Sequence, residues 1–271
     1  MTGDLTSSGD FRVVPLARFA QGGRWRTEAQ RSYSQPVLIW FTKGQGRITV
    51  SGVTRGYGAH NAIFLPANTM HGFDMLGQAY GSVTFFPRQV DLGLPQDAQH
   101  LRFRDARQHA ELNRMIEDIG RESEGQLAGQ ERALLHHGGL LAVWLERQIE
   151  DHADAVTGTR AARRLAAAYA ALVERDFHSA RSVADYAASL GVTPTHLSRV
   201  CNITSGQPAS KLLADRIHFE ARRLLRETRT PVYQIAGQLG FSSPAYFTRA
   251  FQKQTGMTPT SFRRARSQYI S

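Results

Sequence analysis

Residues 235–251 read IAGQLGFSSPAYFTRAF, and residues 255–264 read TGMTPTSFRR. Ile235, Ala236 and Leu239 recur at helical spacing and stop at Gly240. Ser243 and Pro244 are a cap and a first helical residue, and Phe247 and Phe251 lie one turn apart on a single face. The small side chain of Ala236 lets two helices cross closely, and Gly240 reverses the chain between them. This is a helix-turn-helix unit, and it has a copy upstream. Ala187 and Ala236 are 49 residues apart, as are Gly191 and Gly240. Leu197 and Phe247, Arg199 and Arg249, and Gly206 and Gly256 are each 50 apart.

In the upstream copy Tyr186, Ala187, Leu190, Val192, Leu197 and Val200 are the expected interior positions. Gly191 is expected where a side chain would obstruct the turn, with Thr193 as the next helix cap and Pro194 at its first position. The units are placed at 183–202 and 232–253. Between them, Ser210 to Arg226 carries Leu212, Leu213, Ile217, Ala221, Leu224 and Leu225 on one side and reads as a single connecting helix. A rigid connector sets the second helices of the two units about 34 Å apart, one turn of duplex DNA.

The outward faces of those second helices then carry Thr195, Ser198, Arg199 and Asn202 in the first unit, and Ala245, Thr248 and Arg249 in the second. An arginine so placed bonds two acceptors of guanine, discriminating by about 1–3 kcal/mol. Its alternatives are a phosphate contact or a pairing with a nearby acid. Thr193, Ser242 and Ser243, at the helix N-termini, are the expected phosphate contacts.

Charge supports a polyanionic partner. The net formal charge is +10, and residues 160–271 hold 17 Lys/Arg against 6 Asp/Glu, whereas residues 1–159 are nearly neutral. The single cysteine, Cys201, excludes an internal disulfide and multi-cysteine zinc sites. Apolar runs such as Val37 to Phe41 are far too short to span a bilayer, and the opening residues lack a signal-peptide core, so no membrane partner and a cytoplasmic location are expected.

The segments HLSRVCN (196–202), RIHFEARRLL (216–225), IAGQLGFSSPAYFTRAF and TGMTPTSFRR resemble the DNA-binding domain of the AraC/XylS family of bacterial transcription regulators. The downstream copy matches nearly throughout. The upstream copy departs in having Cys201 where a phenylalanine is usual, and a Gly206-Gln207-Pro208 turn one residue shorter than Gly256-Met257-Thr258-Pro259. The resemblance implies sequence-specific binding of double-stranded DNA, a homodimer, a small-molecule effector, and RNA polymerase as a further partner.

It also implies an N-terminal cupin-type sensor barrel. Short apolar runs punctuated by glycine fit an antiparallel sandwich or small barrel. Val37–Thr42 and Arg47–Val50 read as a hairpin across KGQG, and runs follow at Ala62–Leu65 and Gly81–Phe86. Residues 63–73, IFLPANTMHGF, resemble the second conserved cupin segment. Trp40, Phe64, Phe73 and Phe85 are candidates to line an apolar effector pocket for an aromatic or carboxylate compound, the other reading being ordinary core. His71 is either a polar anchor in that pocket or a histidine satisfied by the backbone. His60, followed by Asn61, lacks the His-x-His and Glu of metal-binding cupins, so no metal or other cofactor is expected. No nucleophile sits in a G-x-S-x-G elbow, so no catalytic residue is assigned.

Two helical stripes follow, Leu112/Met115/Ile116/Ile119 and Leu134/Leu141/Leu145/Ile149, read as core packing or as a dimer seam. The expected fold is α+β in two domains. A cupin-like barrel spans 10–105, dimerisation helices 106–153, a linker 154–165, and an all-α domain of two helix-turn-helix units 166–267. Two rival classes are a cupin enzyme with a basic appendage, which bound metal would reveal, and a DNA-architectural protein with a ligand-free barrel, which a thermal-shift screen separates from a sensor.

Overall fold

The computed structural model describes residues 11–20, 25–75, 78–125, 127–151 and 160–265. The N-terminal half runs β1 (Arg12–Pro15), α1 (Ala17–Ala20), α2 (Trp25–Glu28), β2 (Val37–Lys43), β3 (Gly46–Val50), β4 (Val53–Tyr57), β5 (Asn61–Leu65), β6 (His71–Met75), β7 (Tyr80–Phe85) and β8 (Gln99–Arg102), then α3 (Ala106–Glu124) and α4 (Gln130–Asp151). The C-terminal half is helical: α5 (Arg160–Asp176), α6 (Val183–Ser189), α7 (Pro194–Ser205), α8 (Ala209–Glu227), α9 (Val232–Gln238), α10 (Pro244–Thr255) and α11 (Pro259–Arg264).

The strands form two antiparallel sheets, ordered β1-β7-β2-β5-β8 and β4-β3-β6. Among the described residues these sheets are not hydrogen-bonded into a closed ring. Three layers result. One face of the larger sheet, with Ile39, Ile63, Val83 and Phe85, packs against Ile48, Tyr57 and Phe73 of the smaller sheet. Its other face, with Leu38, Trp40, Ala62 and Phe64, packs against Leu112, Ile116, Leu141, Trp144 and Leu145 of α3 and α4. Burial on both faces explains why Val37–Phe41 of β2 and Ala62–Leu65 of β5 are continuous apolar runs instead of alternating ones. The two helical stripes are therefore core, and the apolar residues α4 leaves exposed are Leu140 and Val143.

The expected hairpin of β2 with β3 does not form. Both edges of β2 are occupied, by β5 and β7, while β3 pairs with β4 and β6. Gly44 and Gly46 carry the chain from one sheet to the other. A Cβ at Gly44 would lie 2.5 Å from the Gln78 carbonyl, and one at Gly46 would lie 2.0 Å from that of Asp74. Gly44 thus permits a close approach to the β6–β7 connection and Gly46 to β6 itself, and the local hairpin is β3–β4, turning at Ser51-Gly52.

In the C-terminal half α8 joins two cores. Leu212 and Leu213 pack with Tyr169, Tyr186, Ala187, Leu197 and Cys201. Ala221 and Leu225 pack with Ile235, Ala236, Phe247, Phe251 and Phe262. Ile217 touches both clusters. Phe247 and Phe251 are fully buried, so truncating either to alanine costs about 3–5 kcal/mol. Helix α5 supplies Tyr169, Ala170 and Val173 to the first core. The segment expected as linker is therefore helix from Arg160 onward, and its residues 154–159 lie outside the described residues.

The halves meet at several points. Ser32 donates to Glu174 Oε1 at 2.6 Å, and Arg216 grips Glu174 with Nε to Oε2 at 2.7 Å and Nη2 to Oε1 at 3.0 Å. Thr54 of β4 donates to the Ser205 carbonyl at 3.2 Å. Trp25 sits 5.7 Å from Phe219 and 6.2 Å from Phe262, ring to ring.

Candidate nucleic-acid interface

The internal repeat survives as repeated geometry. Val192 N–H donates to the Ala187 carbonyl and Phe241 N–H to the Ala236 carbonyl, both at 3.0 Å. Thr193 Oγ1 accepts from His196 N–H, and Ser243 Oγ accepts from Tyr246 N–H, both at 3.2 Å, with Pro194 and Pro244 beginning α7 and α10. Both helices end at a left-handed glycine, Gly206 (φ 72°) and Gly256 (φ 74°). The first helices differ: Ser182 and Asp185 form a capping box on α6, while α9 starts at Pro231 without a side-chain cap.

The two turn glycines are required for different reasons. At Gly191 (φ 67°) an added Cβ would meet nothing within 4 Å, so the expected side-chain obstruction is not its role; the left-handed backbone is. Gly240 (φ 76°) has both constraints, since a Cβ would lie 2.6 Å from Ala180 N and 2.9 Å from the His178 carbonyl.

The side chains assigned to base edges face away from the cores. Thr195, Arg199, Asn202, Ala245 and Arg249 are exposed, and Ser198 and Thr248 are half-buried. Thr195, Ser198, Arg199 and Asn202 border one open groove. Arg199 meets His196 Nδ1 through Nη2 at 3.2 Å. Neither Arg199 nor Arg249 pairs with a carboxylate among the described residues, which leaves base and phosphate as their readings. Thr248 Oγ1 donates to the Pro244 carbonyl at 2.9 Å, an internal bond that DNA contact has to replace or share. Thr193 and Ser243 use their hydroxyl oxygens as caps yet retain a proton to donate, and Ser242 is exposed. Cys201 fills the first core at 0% exposure, and burial pushes its thiol up to about 11, so it is an inert packing residue.

The candidate effector-pocket residues do not converge. Trp40 and Phe64 face α3 and α4, whereas Phe73 and Phe85 lie between the sheets on the opposite side of β2 and β5; all four are buried in packed clusters. Trp40 further donates from Nε1 to Asn113 Oδ1 at 2.7 Å. His71 is 1% exposed, with Nδ1 2.8 Å from the Thr69 carbonyl, and burial, followed by the Arg31 charge, drives it down to about 3. It is a neutral histidine tied to the backbone. Beside it Arg31, which the sequence reading missed, is buried, donating to the Thr27 carbonyl at 2.7 Å and to Tyr33 Oη at 3.1 Å. His60 is not isolated: its ring stacks on His109 at 3.8 Å. Stacked imidazoles offer each other faces and no shared lone-pair focus. Among the described residues no group of three or more His, Cys, Asp or Glu side chains is placed to hold a metal ion.

A cavity of about 460 Å³ lies elsewhere, between the β3–β4 hairpin, β8 and α5. Arg160, Arg163, Arg164 and Ala167 border it at helical spacing. That spacing was the available signal, hidden by reading 154–165 as linker.

A family profile described as "Helix-turn-helix domain" matches residues 186–265. The HTH-type transcriptional regulator GlxA of Rhizobium meliloti is 38% identical over 74 residues, covering 27% of this chain and 23% of that protein. The Right origin-binding protein of Escherichia coli is 34% identical over 84 residues, 31% of this chain and 29% of that one. The match therefore spans about a quarter of the length of these curated relatives. Among solved structures, ToxT from Vibrio cholerae, with an unsaturated fatty acid bound, aligns over 93% of this chain and 94% of its own at 12% identity, with a TM-score of 0.43.

Proposed function

We propose that residues 186–265, matched by the helix-turn-helix profile, are a DNA-binding domain of the AraC/XylS type and that the whole chain is a sequence-specific, double-stranded-DNA-binding transcription regulator. The observation that carries this reading is the pair of matching turns on one connecting helix, each presenting an arginine, Arg199 or Arg249, outward and without a carboxylate partner among the described residues. Arg199, Arg249, Thr195, Ser198, Asn202, Ala245 and Thr248 take the base-reading roles, and Thr193, Ser242 and Ser243 hold phosphates.

The N-terminal half, a cupin-type fold in this reading, receives a small-molecule effector. Its helices pair two copies of the chain, with Leu140 and Val143 of α4 as the available apolar surface. In this reading its partners are chromosomal DNA and RNA polymerase, and its location is the cytoplasm.

Selection from a random duplex library tests the reading. One enriched motif is expected, bound with log Kd rising by about 0.9 per contacted phosphate for each tenfold increase in salt. Equal binding of enriched and scrambled duplexes refutes it.

A further inference from the structure

The cavity beside α5 has an unusual composition. Its floor is apolar, from Ile48, Val50, Val53 and Ile63, while Arg55, Arg160, Arg163 and Arg164 stand at its rim and, among the described residues, Asp97 is the one acid bordering it. Among the described residues Arg55, Arg160 and Arg164 make no ion pair. Burial first and the Arg163 charge second pull the Arg55 guanidinium below its ordinary value, so the cationic rim repels itself as it stands. His100, facing the same space, is held neutral at about 4 by burial and then Arg55, with Nε2 on Asn61 Oδ1 at 2.8 Å, and does not relieve that repulsion. A volume of 460 Å³ falls within the range of small-molecule sites, about 300–1,000 Å³.

We propose that this cavity binds an amphipathic monoanion, a carboxylate with a compact apolar body, whose head is held by arginines of both halves and whose body lies on the β3–β5 floor. Arg55 is contributed by β4, and Arg160, Arg163 and Arg164 by α5, so the bound head draws the β3–β4 hairpin onto α5. The two are already close: a Cβ at Gly52, in the hairpin turn, would lie 3.1 Å from the Ala166 carbonyl. The same hairpin touches the end of the first reading helix through Thr54 and Ser205, and α5 forms part of that unit's core. Occupancy therefore acts on the first helix-turn-helix unit and leaves the second, anchored through α8, α9 and α11, unaffected. This inference rests on the regulator reading and names the ligand class and route of its effector site.

Thermal unfolding and hydrogen exchange of the full chain test it with three probes at equal concentration and constant ionic strength: octanoate, octan-1-ol and inorganic phosphate. Octanoate is expected to raise the unfolding midpoint and to slow exchange in β3–β4, α5 and α7 but not in α10. Octan-1-ol and phosphate are expected to do neither. The Arg55→Gln/Arg163→Gln variant is expected to fold as the parent does, by circular dichroism, and to weaken octanoate binding by about tenfold or more. Equal effects of octanoate and octan-1-ol, or of octanoate and phosphate, overturn the amphipathic-anion assignment. No response to octanoate overturns the site, as does binding that the double substitution leaves unchanged. The regulator reading is scored separately, by whether the untreated protein still prefers its selected duplex over a scrambled one.

Discussion

Alanine at the two turn glycines gives unequal damage, and the size of the difference follows from local geometry. Gly191 and Gly240 both hold left-handed backbone, at φ 67° and 76°, which disfavours an L side chain by about 1–2 kcal/mol. At Gly191 that is the whole cost, because a Cβ meets no atom within 4 Å. At Gly240 the Cβ would lie 2.6 Å from Ala180 N and 3.0 Å from Ala180 Cα, both backbone atoms that no rotamer change can move away. Overpacking against fixed atoms adds about 1–3 kcal/mol. Gly191→Ala is thus expected to lose about 1–2 kcal/mol and Gly240→Ala about 2–5 kcal/mol. Native-state hydrogen exchange reads each unit separately through equivalent amides, Val192 bonded to Ala187 and Phe241 to Ala236. The Val192 amide in Gly191→Ala should exchange roughly 5- to 30-fold faster, and the Phe241 amide in Gly240→Ala faster still, by at least a further fivefold. Equal acceleration in the two variants, or the larger effect at Gly191, refutes the close-approach reasoning.

Arg249→Ala should cost about 1–3 kcal/mol on the selected duplex and little on a scrambled one, by competitive gel shift; equal losses on both make Arg249 a phosphate contact. Glu174→Gln leaves the 5%-exposed Arg216 guanidinium with only Glu220 as counter-charge among the described residues and should destabilise the C-terminal half by about 3–5 kcal/mol, whereas Arg216→Met with Glu174→Leu should recover much of that loss in thermal unfolding. Hydrogen bonds from Arg175 and Arg181, with their charges, hold the Asp176 carboxyl down to about 2, below the unfolded value near 4. Its stabilisation is therefore complete above pH 4 and is lost as pH falls through about 2, a slope that Asp176→Asn should remove from acid-unfolding curves.

The parts of the interface that were legible in the chain are those encoded within a few residues. Thr193-Pro194 and Ser243-Pro244 start helices, Gly206 and Gly256 end them, and Phe247 and Phe251 mark an inward face; each signal acts locally and needs no distant partner. The buried Arg216–Glu174 pair was not legible, because 42 residues separate its members and RIHFEARRLL offers several arginines of equal standing. The N-terminal half was legible as antiparallel strands but not in its pairing. A run such as Val37–Phe41, apolar on both faces, gives no parity by which to tell Trp40 from Phe41, so the aromatic residues grouped as one pocket fall on two sides of a sheet.

The sequence by itself determined that this chain carries two copies of a turn between helices, with their caps, glycines and outward arginines, because backbone preference and helical periodicity are short-range. Tertiary structure alone decided that β2 takes β5 and β7 as neighbours instead of β3, and that three arginines of α5 meet Arg55 around a cavity. Strand pairing and clustered charge depend on which segments the hydrophobic layers bring together, and the free energy that makes that choice is shared over the whole core.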